Sequence, residues 1–398
     1  MRQCSIHLLK PGMIIGQPVY MYLGGRRTLL LGRNAEITPS MVEKLLSMGF
    51  PHIYIQEPGT EDIIPDDILS DDTRDKALTA ITLIYDQIHK IISNPRSKYF
   101  ENLDVLEANH LDIAVPSTKP LRDRLREVIQ DLFIIGSVRG YEPMAALSTT
   151  NPLHNHVLNV TVISLLIGWQ YTFSDSEQVS LGMGALLHDL GKTLLPSIYT
   201  KRFWELKPDE KQIWKYHPEL GEKLLANDRD ITEIERQIII QHHEQQDGKG
   251  FPFGLKGQNK APVKSSFHEQ NQIFRLAEIV SVANVFDNLI SGDTVSSRLT
   301  PQDALIEMSQ MAKTILNRDI VRTLNGIVLR FPVASNVQII SHTKQELVGC
   351  KGVVARVEGA FKPIEVVLLY SPDGRRITPK RIIVNPEKNE NLILVDYA

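Results

Sequence analysis

Residues 241–257 read QHHEQQDGKGFPFGLKG, and residues 185–192 read ALLHDLGK. The first stretch begins with two adjacent histidines and continues into a loop rich in glycine and proline. The second places His188 and Asp189 in an apolar run that a glycine and a lysine close. Imidazoles and carboxylates suit borderline transition metals. We therefore expect the rest of the chain to position, control or report on a metal site.

The composition is that of an ordinary soluble globular protein, with 42% hydrophobic and 23% charged residues. A formal net charge of −3 argues against a large basic surface, so we expect no DNA partner. Cys4 and Cys350 have no CxxC spacing, which excludes a zinc site built from cysteines and indicates a reducing compartment. Neither a signal-peptide core nor a run of ~18 apolar residues occurs. These features predict a cytoplasmic protein without a membrane span.

The fold class predicted from the changing patterns is multidomain. Short apolar runs separated by turn residues precede a helix at Thr38–Met48, and β-branched runs split by Asn, Gly and Pro-Asp-Gly close the chain. We predict a small α/β module over residues 1–70, a helical linker or bundle over 71–145, an all-α domain over 146–330 and a small β-sheet or barrel module over 331–398. A sensing role for the first module is open, although plain packing is favoured.

Two amphipathic helices, residues 77–93 and 121–135, precede the central domain. Their apolar residues recur every three or four positions. These residues are Leu78, Ile81, Ile84, Ile88 and Ile91 in the first helix and Leu121, Leu125, Val128 and Leu132 in the second. Amphipathicity alone does not separate a bundle or homodimer seam from packing within the chain. We favour packing within the chain and keep a homodimer as the alternative.

Five histidines and an aspartate in the helical region are candidate metal ligands. They are His156, His188, Asp189, His217, His242 and His243. A lone histidine is more often a hydrogen-bonded core or surface residue, but these six fall within one helical segment. An unpaired carboxylate such as Asp189 would be costly to bury in a nearly uncharged helix, and a metal gives it a partner. The adjacent histidines can serve one metal only where their helix ends, as the following glycines predict.

The same stretches resemble an HD-GYP domain, the branch of the HD metal-dependent phosphohydrolase superfamily that hydrolyses cyclic di-GMP. The matching stretches are LLHDLGK at 186–192, YHPELGEKLL at 216–225, HHEQQDGKGFPFGLKG at 242–257 and IVSVANVFDNL at 279–289. The family signature HHExxDGxGYP is reproduced, except that Phe251 stands where tyrosine is usual. The resemblance covers a little under half of the chain and implies an HD-type helical fold.

The resemblance also implies roles for individual residues. His156, His188 and Asp189 would hold one metal, His217, His242 and His243 would hold a second, and Asp189 would bridge the two. The cofactors would be two divalent transition metals, iron or manganese, with zinc or nickel as alternatives. They would generate a bridging hydroxide that attacks the phosphodiester. Lys192 would neutralise phosphate charge or protonate the leaving oxygen, and Asp247, Gly248, Gly250 and Phe251 would form the substrate loop.

Several positions depart from the family pattern. Asn284 stands where the family has a metal-binding aspartate, so the first metal should be held less tightly. Pro152 replaces the glutamate of three-metal members, which limits the expectation to two ions. Asp293 and Ser296 occupy positions of cationic substrate anchors, and Arg298 is a candidate to compensate.

Two functions therefore remain open at the level of the sequence. The first is a metal-dependent phosphodiesterase that hydrolyses cyclic di-GMP, or a related phosphoester, to pGpG or GMP. The second is a catalytically degenerate module that binds a nucleotide or a partner protein and signals through its flanking modules. Retention of nearly every metal ligand favours the enzyme.

Overall fold

The computed structural model describes residues 1–23, 26–48, 50–65, 68–94, 113, 115–136, 148–149, 152–262, 271–293 and 297–396. The helices are α1 (Pro39–Ser47), α2 (Asp71–Ile92), α3 (Lys119–Gly136), α4 (Pro152–Gln170), α5 (Asp175–Leu187), α6 (Pro208–Trp214), α7 (His217–Leu225), α8 (Glu233–Gln241), α9 (Arg275–Ser291), α10 (Pro301–Met311) and α11 (Arg318–Ile327). The strands are β1 (Arg2–Ser5), β2 (Val19–Leu23), β3 (Arg26–Leu31), β4 (His52–Ile55), β5 (Ser148–Thr149), β6 (Asn336–Ser341), β7 (Lys351–Val357), β8 (Ile364–Tyr370), β9 (Arg376–Val384) and β10 (Asn391–Leu394).

The central region is a bundle of helices around one hydrophobic core, as expected for an all-α domain. Helix α4 is buried around most of its circumference, which explains why its apolar residues lack a one-sided pattern. Capping boxes start α5 at Ser174 and α8 at Thr232, and Thr300 caps α10. These side chains satisfy the free N–H groups of the first turns and set where each helix begins.

Helix α2 begins earlier than the sequence pattern indicated. The apolar periodicity predicted a helix over residues 77–93, and the observed helix starts at Asp71, inside an acidic stretch that is also typical of a solvated linker. In the structure, Ser70 caps the helix by accepting a hydrogen bond from Thr73 N, and Asp71 and Asp72 lie in its first turn. Negative charge is favourable at a helix N-terminus, so Asp71 and Asp72 belong to the helix rather than to a linker.

The apolar faces of α2 and α3 are buried inside this chain, except that the predicted core residue Ile91 is exposed and its neighbour Ile92 is buried instead. Ile81, Ile84 and Ile88 of α2 and Leu125 of α3 belong to the same hydrophobic core as the central helices. The hydroxyl of Tyr85 donates a hydrogen bond to the carbonyl of Leu186 at 2.8 Å, which ties α2 to the end of α5. Packing within the chain thus accounts for the amphipathic pattern, and a homodimer through these helices stays a prediction.

The β-strands lie on either side of the helical region in sequence. β1 pairs antiparallel with β4, β2 lies between β3 and β5, and the last five strands form an antiparallel sheet in the order β10-β6-β7-β8-β9. That sheet confirms the antiparallel β-structure predicted near the C-terminus. The two terminal regions contact one another, since Gln3 N donates to Ala334 O at 2.7 Å and Glu57 forms ion pairs with Arg2 and Arg376. The domain boundaries stay a prediction.

Within the described part of the chain, every helix is too short or too polar to span a lipid bilayer.

A close backbone contact joins the 3₁₀ turn Leu190–Leu194 to α7. A Cβ atom on Gly191 would lie 1.9 Å from His217 O and 2.6 Å from Gly221 N, both backbone atoms that cannot rotate away. Glycine at 191 therefore allows the segment after Asp189 to approach the helix that begins at His217.

We predict that Gly191→Ala lowers the free energy of unfolding by about 1–3 kcal/mol, because the added methyl group forces these two segments apart. Gly326→Ala in α11 is the matched control: a Cβ there meets nothing within 4 Å. We expect the control to be neutral or to stabilise by about 0.5–1 kcal/mol. Urea unfolding followed by circular dichroism measures both, and equal stabilities of the two variants would contradict the close contact.

Candidate metal centre

The predicted ligands meet because three of them lie at helix ends. His188 caps the C-terminus of α5, His217 opens α7 and His242 caps the C-terminus of α8. Asp189 follows His188 directly, and His156 lies in the second turn of α4. The side chains of His188, Asp189, His217 and His242 are fully buried.

The ligand atoms form two groups that share one carboxylate. The first cluster is His156, His188 and Asp189, and the second cluster is Asp189, His217, His242 and His243. Within each cluster, the candidate ligand atoms all lie within 4.8 Å of one another. Both clusters are therefore able to bind a metal ion, and the division of residues between them is the one that the resemblance implied.

Backbone carbonyls orient three of the imidazoles. His188, His217 and His242 each form a 2.7 Å hydrogen bond from Nδ1 to the carbonyl three residues earlier. The carbonyls belong to Ala185, Trp214 and Ile239. A carbonyl only accepts, so Nδ1 must carry the proton, and Nε2 of the neutral ring presents a lone pair. All three lone pairs thus belong to the nitrogen that faces the clusters.

Acceptor atoms crowd together as a result. His217 Nε2 lies 3.2 Å from His242 Nε2 and 3.1 Å from Asp189 Oδ1. Among the described residues, His188 Nε2 and Asp189 Oδ1 are buried polar atoms without a geometrically acceptable hydrogen-bond partner. In the same part of the chain, His156 Nε2 and His243 Nε2 are also buried and lack such a partner. Facing lone pairs repel, and a buried polar atom without a partner is costly. Divalent cations would relieve both penalties, so these residues fit a metal site.

The protonation equilibria suit metal binding at the second cluster. Burial lowers the pKa of His217, His242 and His243, which keeps these imidazoles in the neutral form that coordinates metals. Burial alone would raise the pKa of Asp189, but its interactions with His188 and with the Lys192 ammonium outweigh burial and lower that pKa. The shared ligand is therefore a carboxylate.

His156 depends on a carboxylate that sequence reasoning did not assign to the site. Its Nδ1 lies 2.7 Å from Asp287 Oδ2, and Asn159 donates a hydrogen bond to Asp287 Oδ1 at 2.7 Å. Burial opposes protonation of His156, yet the hydrogen bond and charge of Asp287 raise its pKa. Asp287 thereby directs His156 Nε2 towards Asp189, at 3.5 Å. The signal for this role was Asp287 itself, the single acidic residue of the stretch VFDNL at 285–289.

The glycine-rich loop closes against the second cluster. Gly248 has φ of +80°, and a Cβ on Gly250 would lie 2.5 Å from Glu244 Cα, so both positions favour glycine. The Glu244 carboxylate accepts hydrogen bonds from two later loop N–H groups, and Asp247 Oδ1 accepts from Lys249 N. The loop brings the Phe251 ring parallel to that of His243, with centroids 4.6 Å apart.

The profile of the HD domain family matches residues 141–320. This region is an HD domain. The chain is 33% identical over 141 residues to the cyclic di-GMP phosphodiesterase response regulator RpfG of Xanthomonas campestris, covering 35% of this chain and 34% of that protein. It is 26% identical over 229 residues to the cyclic di-GMP phosphodiesterase PA4108 of Pseudomonas aeruginosa, covering 57% and 50% respectively. These similarities confirm the resemblance to the HD-GYP branch.

Among solved structures, the HDG"Y"P protein Bd1817 of Bdellovibrio bacteriovorus aligns with a TM-score of 0.42 at 19% identity, covering 81% of this chain and 97% of that one. The chain spans half or less of the length of the two curated relatives.

The other predicted residues of the HD domain occupy distinct places. Asn284 is buried in α9, and its Oδ1 accepts a hydrogen bond from Asn288 Nδ2 at 2.8 Å. Lys192 donates to Asp189 Oδ2 at 2.7 Å. Their roles as metal ligand and catalytic residue stay predictions.

The positions where the family has cationic substrate anchors, and the candidate replacement Arg298, follow α9 in the sequence. Arg298 lies beside Gly292, the residue that follows α9, since a Cβ on this glycine would be 3.0 Å from Arg298 Cγ. The backbone carbonyl of Asp293 accepts a hydrogen bond from Trp204 N at 3.3 Å. Ser296 lies outside the described residues.

We predict that Asp287→Asn weakens divalent-metal binding at the first cluster by about 10–100-fold, because an amide no longer orients and polarises His156 as a carboxylate does. Titration of the metal-free protein with Mn²⁺, followed by calorimetry, measures the effect. Asp123→Asn, at an exposed position of α3, is the matched control and should leave both affinities unchanged. If Asp287→Asn bound Mn²⁺ with the affinity of the wild type, Asp287 would have no role in metal binding.

Proposed function

We propose that the chain is a metal-dependent phosphodiesterase that hydrolyses cyclic di-GMP, to pGpG or GMP, in its HD domain. One observation supports this most strongly: a single buried carboxylate, Asp189, lies between two groups of inward-facing imidazole lone pairs. That arrangement suits a pair of divalent ions, iron or manganese, which when bound lower the pKa of water and polarise phosphoryl oxygens.

The protein's own groups supply the remaining functions. Lys192 provides a cation at the edge of the clusters, where it would neutralise a phosphate oxygen or donate a proton to the leaving oxygen. Phe251 covers one face of His243 and excludes water from that side. Arg298 offers a second positive charge beside Gly292, at the end of the helix that carries Asp287, in place of the family's missing anchors.

The choice of substrate follows from the relatives rather than from the pocket. Both curated relatives described above are named as cyclic di-GMP phosphodiesterases. A cyclic dinucleotide carries two phosphodiester charges, which two metal ions, Lys192 and Arg298 would oppose. The arrangement of metal ligands suits phosphodiester hydrolysis as a reaction class, and the similarity to these relatives adds cyclic di-GMP as the substrate.

A second candidate function rests on Asn284. An amide oxygen brings no negative charge, and the Oδ1 atom of Asn284 already accepts a hydrogen bond from Asn288. A weakly held first metal would leave a module that binds a cyclic dinucleotide without turning it over and signals through its flanking regions. Retention of all six other ligands favours the enzyme.

The proposal predicts that protein loaded with Mn²⁺ or Fe²⁺ hydrolyses cyclic di-GMP, and that Asp189→Ala reduces kcat by at least about 100-fold, since both ions lose their shared ligand. Chromatographic separation of cyclic di-GMP, pGpG and GMP measures turnover. His342→Ala, at the residue that follows β6, serves as the control and should retain activity. If metal-loaded protein binds cyclic di-GMP without hydrolysing it, pGpG or bis(p-nitrophenyl) phosphate, the binding-module function replaces the enzyme.

Restoring the family's acidic residue gives a separate prediction. Asn284→Asp should tighten the ion at the first cluster by about tenfold or more, because a carboxylate adds a full negative charge to the site. Calorimetric titration with Mn²⁺ resolves this affinity from that of the second cluster. Asn227→Asp, at an exposed position after α7, is the control and should leave both affinities unchanged. An unchanged affinity in Asn284→Asp would place residue 284 outside the coordination sphere.

A further inference from the structure

Trp214 is an aromatic residue of the site to which no role has been assigned so far. It is the last residue of α6, and its indole packs against the rings of His217 and His243, with centroids 4.7 and 4.9 Å away. Phe203 contacts the same ring at 4.8 Å. These contacts hold the indole beside the second cluster in one orientation, and part of its surface remains exposed.

Lys192 has two partners of different chemical kinds. Its ammonium donates to Asp189 Oδ2 at 2.7 Å, and the same nitrogen lies 5.3 Å from the centroid of the Trp214 ring. The first partner is a charge and the second is a neutral π-face, which attracts a cation through its quadrupole.

The two partners respond differently to metal loading. Cations bound by Asp189 would neutralise its carboxylate and repel the nearby ammonium, which weakens the Lys192–Asp189 ion pair. The indole carries no net charge and coordinates no metal, so its attraction for the ammonium persists. Without this second contact, repulsion would drive the flexible lysine away from the clusters.

We infer that Trp214 is a positioning residue that holds Lys192 Nζ at the edge of the loaded metal site, where it meets a phosphate oxygen. This inference rests on the proposed function. It identifies the Trp214 side chain as the group that keeps Lys192 in place to contact a phosphate oxygen of the substrate. The backbone of Trp214 acts separately, since its carbonyl accepts the hydrogen bond from His217 Nδ1. Any substitution keeps that carbonyl, so side-chain variants separate the two roles.

The test is a double-mutant cycle on protein loaded with Mn²⁺, with inorganic phosphate as the probe and calorimetry as the measurement. Trp214→Leu should weaken phosphate binding about 3–30-fold, the range of a partly buried cation–π contact. Trp214→Phe, which retains an aromatic face, should lose much less. In a Lys192→Met background, Trp214→Leu should cost nothing further, because the partner is gone. The Mn²⁺ content should match that of wild type in every variant.

Three results would overturn the inference. An equal loss in both backgrounds would mean that the indole acts independently of Lys192. A loss of Mn²⁺ in Trp214→Leu would assign the ring to the support of His217. If the metal-loaded wild-type protein does not bind phosphate, Lys192 makes no contact with an anion at this site. The cycle measures phosphate affinity and not turnover. If the protein binds phosphate but does not hydrolyse cyclic di-GMP, the enzyme proposal is overturned, and the double-mutant cycle can still be interpreted.

Discussion

The structure of the site depends on one buried carboxylate, Asp189, that contacts imidazoles from four helices. A carboxylate with no exposed surface is unfavourable unless it is paired. Here His188 and Lys192 lower its pKa, and His156, His217 and His242 approach its two oxygens. Each neighbouring helix end is placed so that an imidazole nitrogen reaches this carboxylate, which makes Asp189 the geometric centre of both clusters.

The surrounding fold serves to hold these helix ends in place. Hydrogen bonds to carbonyls three residues back fix His188, His217 and His242 without any further side chain, whereas His156, within α4, needs Asp287 from α9. Gly191 lets the turn after Asp189 touch the backbone of α7. Helix α2 contributes from outside the HD domain, because Tyr85 hydrogen-bonds to the carbonyl two residues before His188. A movement of α2 would therefore act on the ligand region directly.

Sequence reasoning was most accurate where the relevant signal is local. The helix that ends before His242 and His243 was predicted from the glycines that follow. The start of α2 was misplaced because an acidic stretch suits both a solvated linker and the first turn of a helix. The apolar faces of α2 and α3 were recognised, but periodicity carries no information about what covers them, and the core of this same chain does so.

The sequence alone determined the ligand types, their positions at predicted helix ends and the HD-type domain, because composition, capping and motif spacing are properties of neighbouring residues. The tertiary structure decided which imidazoles share Asp189, that Asp287 orients His156, and that Trp214 lies against Lys192. His156 and Asp287 are 131 residues apart. A contact of that kind depends on how α4 and α9 pack, and packing arises from the whole core rather than from either segment.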